Sequence, residues 1–270
     1  MPHLNKVERL MLRPSSVDFD GWLNVGGWKK RCRGVRRMGG VGVVIPAYNE
    51  AERIERVLQA VLCSSMVKQV VIVDDGSVDG TYQVATKYAV EGSVEVMRLP
   101  TNMGKAMAFW VGVQRIVQPI VVMLDADLIG LLPKHIEMLA EPISCDDADM
   151  TIGVFCRGRW ITDWSHKIAP EISGQRGLRK ELLLCLPCPD GLGYGLEAFL
   201  NWWASKHGWK VKHVMLEGVS HVTKEEKLGL NKALIERTRM YWDIGKTLLK
   251  AWVLNGKHRG KQGDAGKRHR

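Results

Sequence analysis

At 270 residues, 46% hydrophobic and 25% charged, the chain has the composition of an ordinary globular protein, long enough for one large α/β domain or two small ones. No run approaches the ~20 apolar residues that span a bilayer, and the first residues lack the apolar core of a signal peptide, so a cytoplasmic protein is expected. The net charge of +10 sits at the ends, +6 in residues 1–40 and +5 in residues 256–270. A body near neutrality argues against a nucleic-acid groove; the basic ends read first as solvated, disordered tails, with peripheral contact to an anionic membrane face as the alternative.

Residues 1–40 show no sustained period and read as a disordered basic extension. Met38 directly precedes the first credible strand, which makes it a candidate start of the native chain. Val41–Ile45 is an apolar strand closed by Pro46. Ala47-Tyr48-Asn49-Glu50 leads into a helical stripe over Ala51–Leu62, with Asn49 as the expected N-cap. Val70–Val73 is a second strand, ending in Asp74-Asp75-Gly76-Ser77. A helix follows from Asp79-Gly80 to about Tyr88, then a third strand at Val94–Leu99. Thr101–Lys105 precedes a helix over about 104–117, and Pro119–Leu124 is the fourth strand. Strands and helices alternating at this spacing predict right-handed crossovers and a mainly parallel sheet.

That fourth strand ends in Asp125-Ala126-Asp127. Two acids one residue apart at the tip of a buried strand raise each other's pKa unless a cation relieves the repulsion. Hard Mg²⁺ or Mn²⁺ takes one or two such carboxylates together with substrate phosphates. Asp also serves as a turn or cap residue, so the tripeptide alone is ambiguous. Polar signals at three strand ends, Tyr48/Glu50, Asp74/Asp75 and Asp125/Asp127, favour a ligand site, because parallel sheets gather ligands at the carboxyl ends of their strands. Gly104-Lys105 lacks the spacing of a P-loop; a solvated lysine and a phosphate contact are both open there.

Val44-Ile45-Pro46-Ala47-Tyr48-Asn49-Glu50, Val73–Asp79, Asn102-Met103-Gly104-Lys105 and Leu124–Asp127 together resemble family 2 glycosyltransferases over about residues 41–140. The resemblance implies a GT-A fold that uses a nucleotide-diphosphate sugar, of the UDP-glucose or GDP-mannose type, with Mg²⁺ or Mn²⁺. It places Pro46, Ala47, Tyr48 and Glu50 around the nucleotide and Asp75 at the base. Gly104 and Lys105 fall near the nucleotide, and Asp125 with Ala126 near the ribose or sugar. Asp127 is assigned to the metal, with Asp125 beside it. A pyrophosphate leaving group develops negative charge that a divalent cation neutralises, so the chemistry asks for the same residue types.

The second half is expected to set the acceptor. Pro133–Leu139 reads as a short helix, Asp149–Phe155 as a strand, and Phe155–Pro170 as an irregular acceptor lid with Arg157, Arg159 and Trp160. At Ser173–Arg176, followed by a helix to about Cys185, Gly174 allows close backbone approach, Gln175 suits sugar hydroxyls and Arg176 a phosphate; a plain turn and helix start is the alternative. Gly193-Tyr194-Gly195-Leu196-Glu197 resembles the Gly-Tyr-Gly-Val-Glu stretch of glucosyl-3-phosphoglycerate synthases, and also occupies the place of the acidic motif in polyprenyl-phosphate sugar transferases. Glu197, opening a helix to about Lys206, is a candidate catalytic base or sugar ligand, or a simple helix-dipole acid. Lys210–Leu216 is a strand, and His221 after it resembles the histidine completing the metal site of the phosphoglycerate enzymes. Leu228–Leu254 is helical. Of six cysteines, Cys32, Cys63, Cys145, Cys156, Cys185 and Cys188, only the last two have metal-like spacing, without a second pair, so reduced thiols are expected.

The expected architecture is therefore α/β, a GT-A-type, mainly parallel, Rossmann-like sheet flanked by helices in a single domain over 41–255. Residues 41–127 form its nucleotide-binding half, residues 128–255 its acceptor half, and residues 256–270 a basic tail. The expected activity is hexosyl transfer to polyprenyl phosphate, with phosphoglycerate as the second acceptor. A nucleotidyltransferase would want a glycine- and basic-rich phosphate loop after the first strand, which Pro46–Glu50 is not; a non-catalytic nucleotide-sugar-binding module remains the other rival.

Overall fold

The computed structural model describes residues 40–90, 92–156, 173–187 and 195–221, all within the unit Gly39–Arg270. Most of the expected acceptor lid Phe155–Pro170, the first two residues of the Gly193–Glu197 stretch and the helix at 228–254 lie outside the described residues, as do both basic ends.

Four parallel strands form the nucleotide side of the sheet: β1 (Val41–Ala47), β2 (Val67–Asp74), β3 (Val94–Arg98) and β4 (Ile120–Met123). Helices α1 (Ile54–Leu62), α2 (Thr81–Thr86) and α3 (Lys105–Arg115) alternate with them. The acceptor side adds a two-residue strand β5 (Leu128–Ile129), helix α4 (Pro133–Ser144), β6 (Met150–Cys156), β7 (Arg176–Arg179), a single turn α5 (Lys180–Leu183), α6 (Leu196–His207) and β8 (Val211–Glu217). The main sheet runs β3-β2-β1-β4-β7-β6-β8, and β5 pairs separately with β9 (Ser220–His221). The expected mainly parallel α/β sheet is observed, with β7 as its antiparallel member, laid between β4 and β6.

Alternation along the strands explains the three layers. Val41, Val43 and Ile45 of β1, with Ile120 and Val122 of β4, pack against Ile54, Val57, Leu58 and Val61 of α1 and Ile136, Leu139 and Ile143 of α4. The opposite face, Val44, Val71, Val73, Val121 and Met123, packs against Ala106, Phe109 and Val113 of α3 and Leu196, Phe199 and Leu200 of α6. A strand side chain points up or down with period two, so a fully apolar strand is what a sheet covered on both faces requires. Each fully buried aliphatic side chain contributes roughly 1.5–3 kcal/mol.

Several local expectations are corrected. Pro46 does not end its strand: it lies in register with Val73, and pairing continues to Ala47. Helix α1 starts at Ile54, three residues later than expected, with Arg53 at the N-cap. Asn49 is not a helix cap but sits at φ 57°, a left-handed conformation that Asn tolerates better than most residues. Its Oδ1 accepts the Val78 N–H while its own N–H donates to Ser77 Oγ. With Glu50 N–H on Thr81 Oγ1 and Ala51 N–H on Asp79 Oδ2, these bonds sew the loop after β1 to the loop after β2. Helix α4 runs on to Ser144, beyond the expected Leu139. The helix expected after Arg176 is instead strand β7 followed by the four-residue α5.

Candidate active site

The chain reverses direction across the sheet between β1 and β4: β2 and β3 are laid on one side of β1, β4 on the other. A crevice therefore opens at the carboxyl ends of β1 and β4, the place where such sheets bind ligands. Tyr48 at the tip of β1, Asp75 after β2 and Asp125 after β4 all fall on this edge. Pro46 and Ala47 are buried in β1 beneath it, and Ala126 is buried behind Asp125. Glu50 is held by Arg53 at 3.2 Å.

Asp75 is drawn into the protein. Its two carboxylate oxygens accept the N–H groups of Met103 and Gly104 at 2.7 and 2.8 Å. Burial pushes its pKa up, the two backbone donors oppose that, and the result is a carboxyl above the usual range. The bonds fix the 102–104 loop and hence the start of α3. Gly104, at φ 89°, turns the chain there in a conformation a side chain would strain, and Lys105 follows as the first residue of the helix.

Lys105 Nζ reaches Asp125 Oδ1 at 2.5 Å and Glu197 Oε1 at 2.6 Å. Glu197 is 5% exposed, in the first turn of α6. Burial disfavours the ammonium, but the two acids outweigh it and hold Lys105 well above its ordinary pKa, so it stays charged at any physiological pH. The other oxygen of Asp125 accepts Gln175 Nε2–H at 2.9 Å. Gly174 is what lets the loop before β7 approach: a Cβ placed there would lie 2.5 Å from both Lys105 Nζ and Asp125 Oδ2. Asp125, Lys105, Glu197, Gln175 and Gly174 thus form one cluster. Arg176, expected to meet a phosphate, is fully buried and turned away into the protein, where it bonds Ser173 O and Asn201 Oδ1.

Among the described residues no three His, Cys, Asp or Glu side chains converge as a metal-binding group, and Asp125, expected beside the metal, is engaged by Lys105 and Gln175. The backbone nevertheless brings two candidate ligands together: the β5–β9 register sets His221 opposite Leu128, the residue after Asp127. A carboxylate oxygen and an imidazole nitrogen are a donor set that Mn²⁺ and Mg²⁺ accept. This juxtaposition depends on glycine. Gly130, at φ 74°, lies so close to Gly218 that a Cβ would run into its carbonyl.

Residues 42–194 match the family model of glycosyl transferase family 2. The chain belongs to that family. Among its relatives is the dolichyl-phosphate beta-glucosyltransferase of Trichomonas vaginalis, 36% identical over 97 residues, covering 32% of this chain and 30% of that enzyme. Glucosyl-3-phosphoglycerate synthase of Mycobacterium tuberculosis is 27% identical over 190 residues, 58% of each chain. The polyprenol monophosphomannose synthase of Mycolicibacterium smegmatis is 26% identical, covering 70% of this chain and 79% of that one. The chain thus spans 30–58% of the length of the first two relatives. A crystal structure of the M. tuberculosis glucosyl-3-phosphoglycerate synthase with Mn²⁺, UDP and glucosyl-3-phosphoglycerate superposes with a TM-score of 0.64 at 25% identity, covering 79% of this chain and 80% of that one. The same enzyme has been seen with Mg²⁺ and UDP. The GT-A fold expected of a family 2 glycosyltransferase is therefore the fold found.

The motifs pointed to Asp75, Lys105, Asp125, Gly174, Gln175 and Glu197, and these lie on one crevice. Asn201, Gly130 and Gly218 were missed. Asn201 carried a signal, since it stands four residues after Glu197 on the same helix face; the two glycines carried none, because only their mutual approach gives them a role. Cys63 and Cys145 are free thiols, the Cys185 thiol donates to Glu181 O at 3.2 Å, and among the described residues no helix is long and apolar enough to cross a membrane.

Proposed function

We propose that this family 2 enzyme transfers a hexose from a nucleoside-diphosphate sugar to a phosphate-bearing acceptor, with Mg²⁺ or Mn²⁺ as cofactor. The observation that carries the reading is the cluster at the β1/β4 crevice, in which Lys105 and Glu197 meet beside Asp125. Tyr48, exposed at the tip of β1, and the Asp75 loop flank the nucleotide base. Lys105 faces the pyrophosphate. Asp127, with His221 beside it, holds the metal, which when bound supplies countercharge to the departing diphosphate. Asp125, Gln175 and the bare backbone at Gly174 orient the sugar. In transfer, the bond from the anomeric carbon to the diphosphate oxygen breaks and a bond to the acceptor oxygen forms. Glu197 orients the acceptor or takes its hydroxyl proton.

Phosphoglycerate is the acceptor we favour, with UDP-glucose as donor. The likeness to the mycobacterial synthase covers 79% of this chain, and the pairing of His221 with Leu128 supports the reading in which that histidine helps to hold the metal. This reverses the order in which the sequence ranked the two acceptors. Polyprenyl phosphate is the second reading, supported by the 79% coverage of the polyprenol monophosphomannose synthase. The test is nucleotide release by purified protein with Mn²⁺, using UDP-glucose and GDP-mannose, each with 3-phosphoglycerate and, separately, polyprenyl phosphate. Release that requires 3-phosphoglycerate supports the first reading, and release that requires the lipid replaces it. Absence of both release and nucleotide-sugar binding refutes transfer.

A further inference from the structure

Glu197 enters the crevice from α6 and meets Lys105 at hydrogen-bond distance, 2.6 Å. Something must set the helix at the correct height and rotation. Leu196, Phe199, Leu200 and Ala204 bury its apolar face, but apolar packing is non-directional and fixes depth better than register. Directional bonds fix register, and one is present. Arg176, fully buried, donates from Nη1 to Asn201 Oδ1 at 2.6 Å and from Nε to Ser173 O at 3.0 Å. Asn201 is one turn beyond Glu197, so the guanidinium grips the helix face that presents the acid. At its other end Arg176 belongs to the strand preceded by Gln175, which bonds Asp125, and by Gly174, whose missing side chain leaves room for that approach.

We propose that Arg176 and Asn201 are positioning residues, a buried strut that locks the Glu197 helix to the Asp125–Gln175 loop and so sets the Lys105–Glu197 contact. The inference rests on the reading of Lys105 and Glu197 as site residues. Arginine suits the task because its planar fork bonds in two directions at once from a fixed plane, which an ammonium on a flexible stem does not reproduce. The strut also explains why an arginine beside the crevice is turned inward: its work is on the protein, and the donor's charges are left to Lys105.

The test uses the full chain with Asn201→Leu, which keeps the volume and removes the acceptor, and Asn201→Asp, which restores an acceptor oxygen. Two readouts are followed: the ¹⁵N signal of the Lys105 ammonium without nucleotide, and kcat against the affinities for UDP and GDP with Mn²⁺. A misplaced acid costs up to about 100-fold in turnover, so Asn201→Leu is expected to lower kcat by roughly 10- to 100-fold while changing nucleotide affinity less than about 3-fold. The Lys105 signal should shift towards that of an unpaired lysine, and Asn201→Asp should recover both. If Asn201→Leu does not fold, Arg176→Lys carries the test with the same expectations. A variant that loses thermal stability but keeps the wild-type Lys105 signal and kcat overturns the strut, as does an Asn201→Asp no better than Asn201→Leu. Should the protein show no transferase activity at all, the Lys105 signal still decides the strut, so the two readings fail separately.

Discussion

Lys105 Nζ and Glu197 Oε1 stand 2.6 Å apart across 92 residues of chain, joining the start of α3 to the start of α6 over the crevice. The same ammonium holds Asp125. One lysine thus connects the two halves that the motifs treated separately.

Replacing Glu197 by Gln should therefore act in two directions. If the carboxylate takes the acceptor proton, kcat should fall about 10²- to 10⁴-fold. Because one of two competing carboxylates on Lys105 is gone, affinity for UDP should hold or rise. Calorimetry alongside steady-state kinetics checks both, and a kcat loss under tenfold would reduce Glu197 to an acid at a helix start.

Gly174→Ala places a methyl group against Lys105 Nζ and Asp125. The pair has to part or the loop has to retreat, and a displacement near 1 Å is worth on the order of 100-fold in kcat/KM. The fold should survive, since the clash is at a loop. A far-ultraviolet spectrum like the wild type's with normal kcat/KM would show that the crevice yields more easily than its contacts suggest.

Asp127→Ala should abolish stimulation by Mn²⁺ and lower turnover on the order of 100-fold, the usual scale for losing countercharge in a transition state. Electron paramagnetic resonance of added Mn²⁺ reads the binding directly. Activity that persists in EDTA-treated wild type would remove the metal from the reaction.

Gly130→Ala tests the backbone contact behind the proposed metal site. A left-handed φ costs an alanine roughly 1–2 kcal/mol, and its methyl would also strike the Gly218 carbonyl. Separation of β5 from β9 should weaken Mn²⁺ binding while UDP binding without metal is unchanged. Equal loss of both would mean that the change spreads through the fold.

His135 links stability to pH. It is buried, and its Nδ1 accepts the Leu132 N–H at 3.1 Å at the start of α4, which requires that nitrogen to be unprotonated. Burial first, then neighbouring Lys134, hold its pKa below the ordinary 6.5. With the folded value depressed, the unfolded chain takes the proton first as pH falls. Its contribution is intact above pH 6.5 and is lost as the pH drops from 6.5 through the folded value. Wild type should lose stability between about pH 7 and pH 5 by something near the ~1 kcal/mol of a helix cap, and His135→Gln, which keeps an acceptor but does not titrate, should lose less. Equal melting-temperature losses in the two proteins would clear His135 of the effect.

Sequence by itself determined the parallel βαβ half of the molecule and the acids on its edge. Those features are periodic and local: alternating burial writes an apolar strand, a helical stripe follows it, and a carboxylate after each strand must fall on the same edge once the strands run parallel. Asn49 and the start of α1 were misplaced because a loop-to-loop bond, Asn49 to Val78, won over a cap. Strand β7 was invisible for a different reason. Arg-Gly-Leu-Arg carries no strand pattern, and its conformation is imposed by the open hydrogen-bonding edges of β4 and β6 on either side. Only tertiary structure decided that Arg176 faces inward to Asn201, that Lys105 meets Glu197, and that Gly130 and Gly218 bring His221 opposite Leu128. Each is a contact between segments far apart in the chain, where no spacing relates the partners and the choice is made by packing and by the need of buried polar groups for one another.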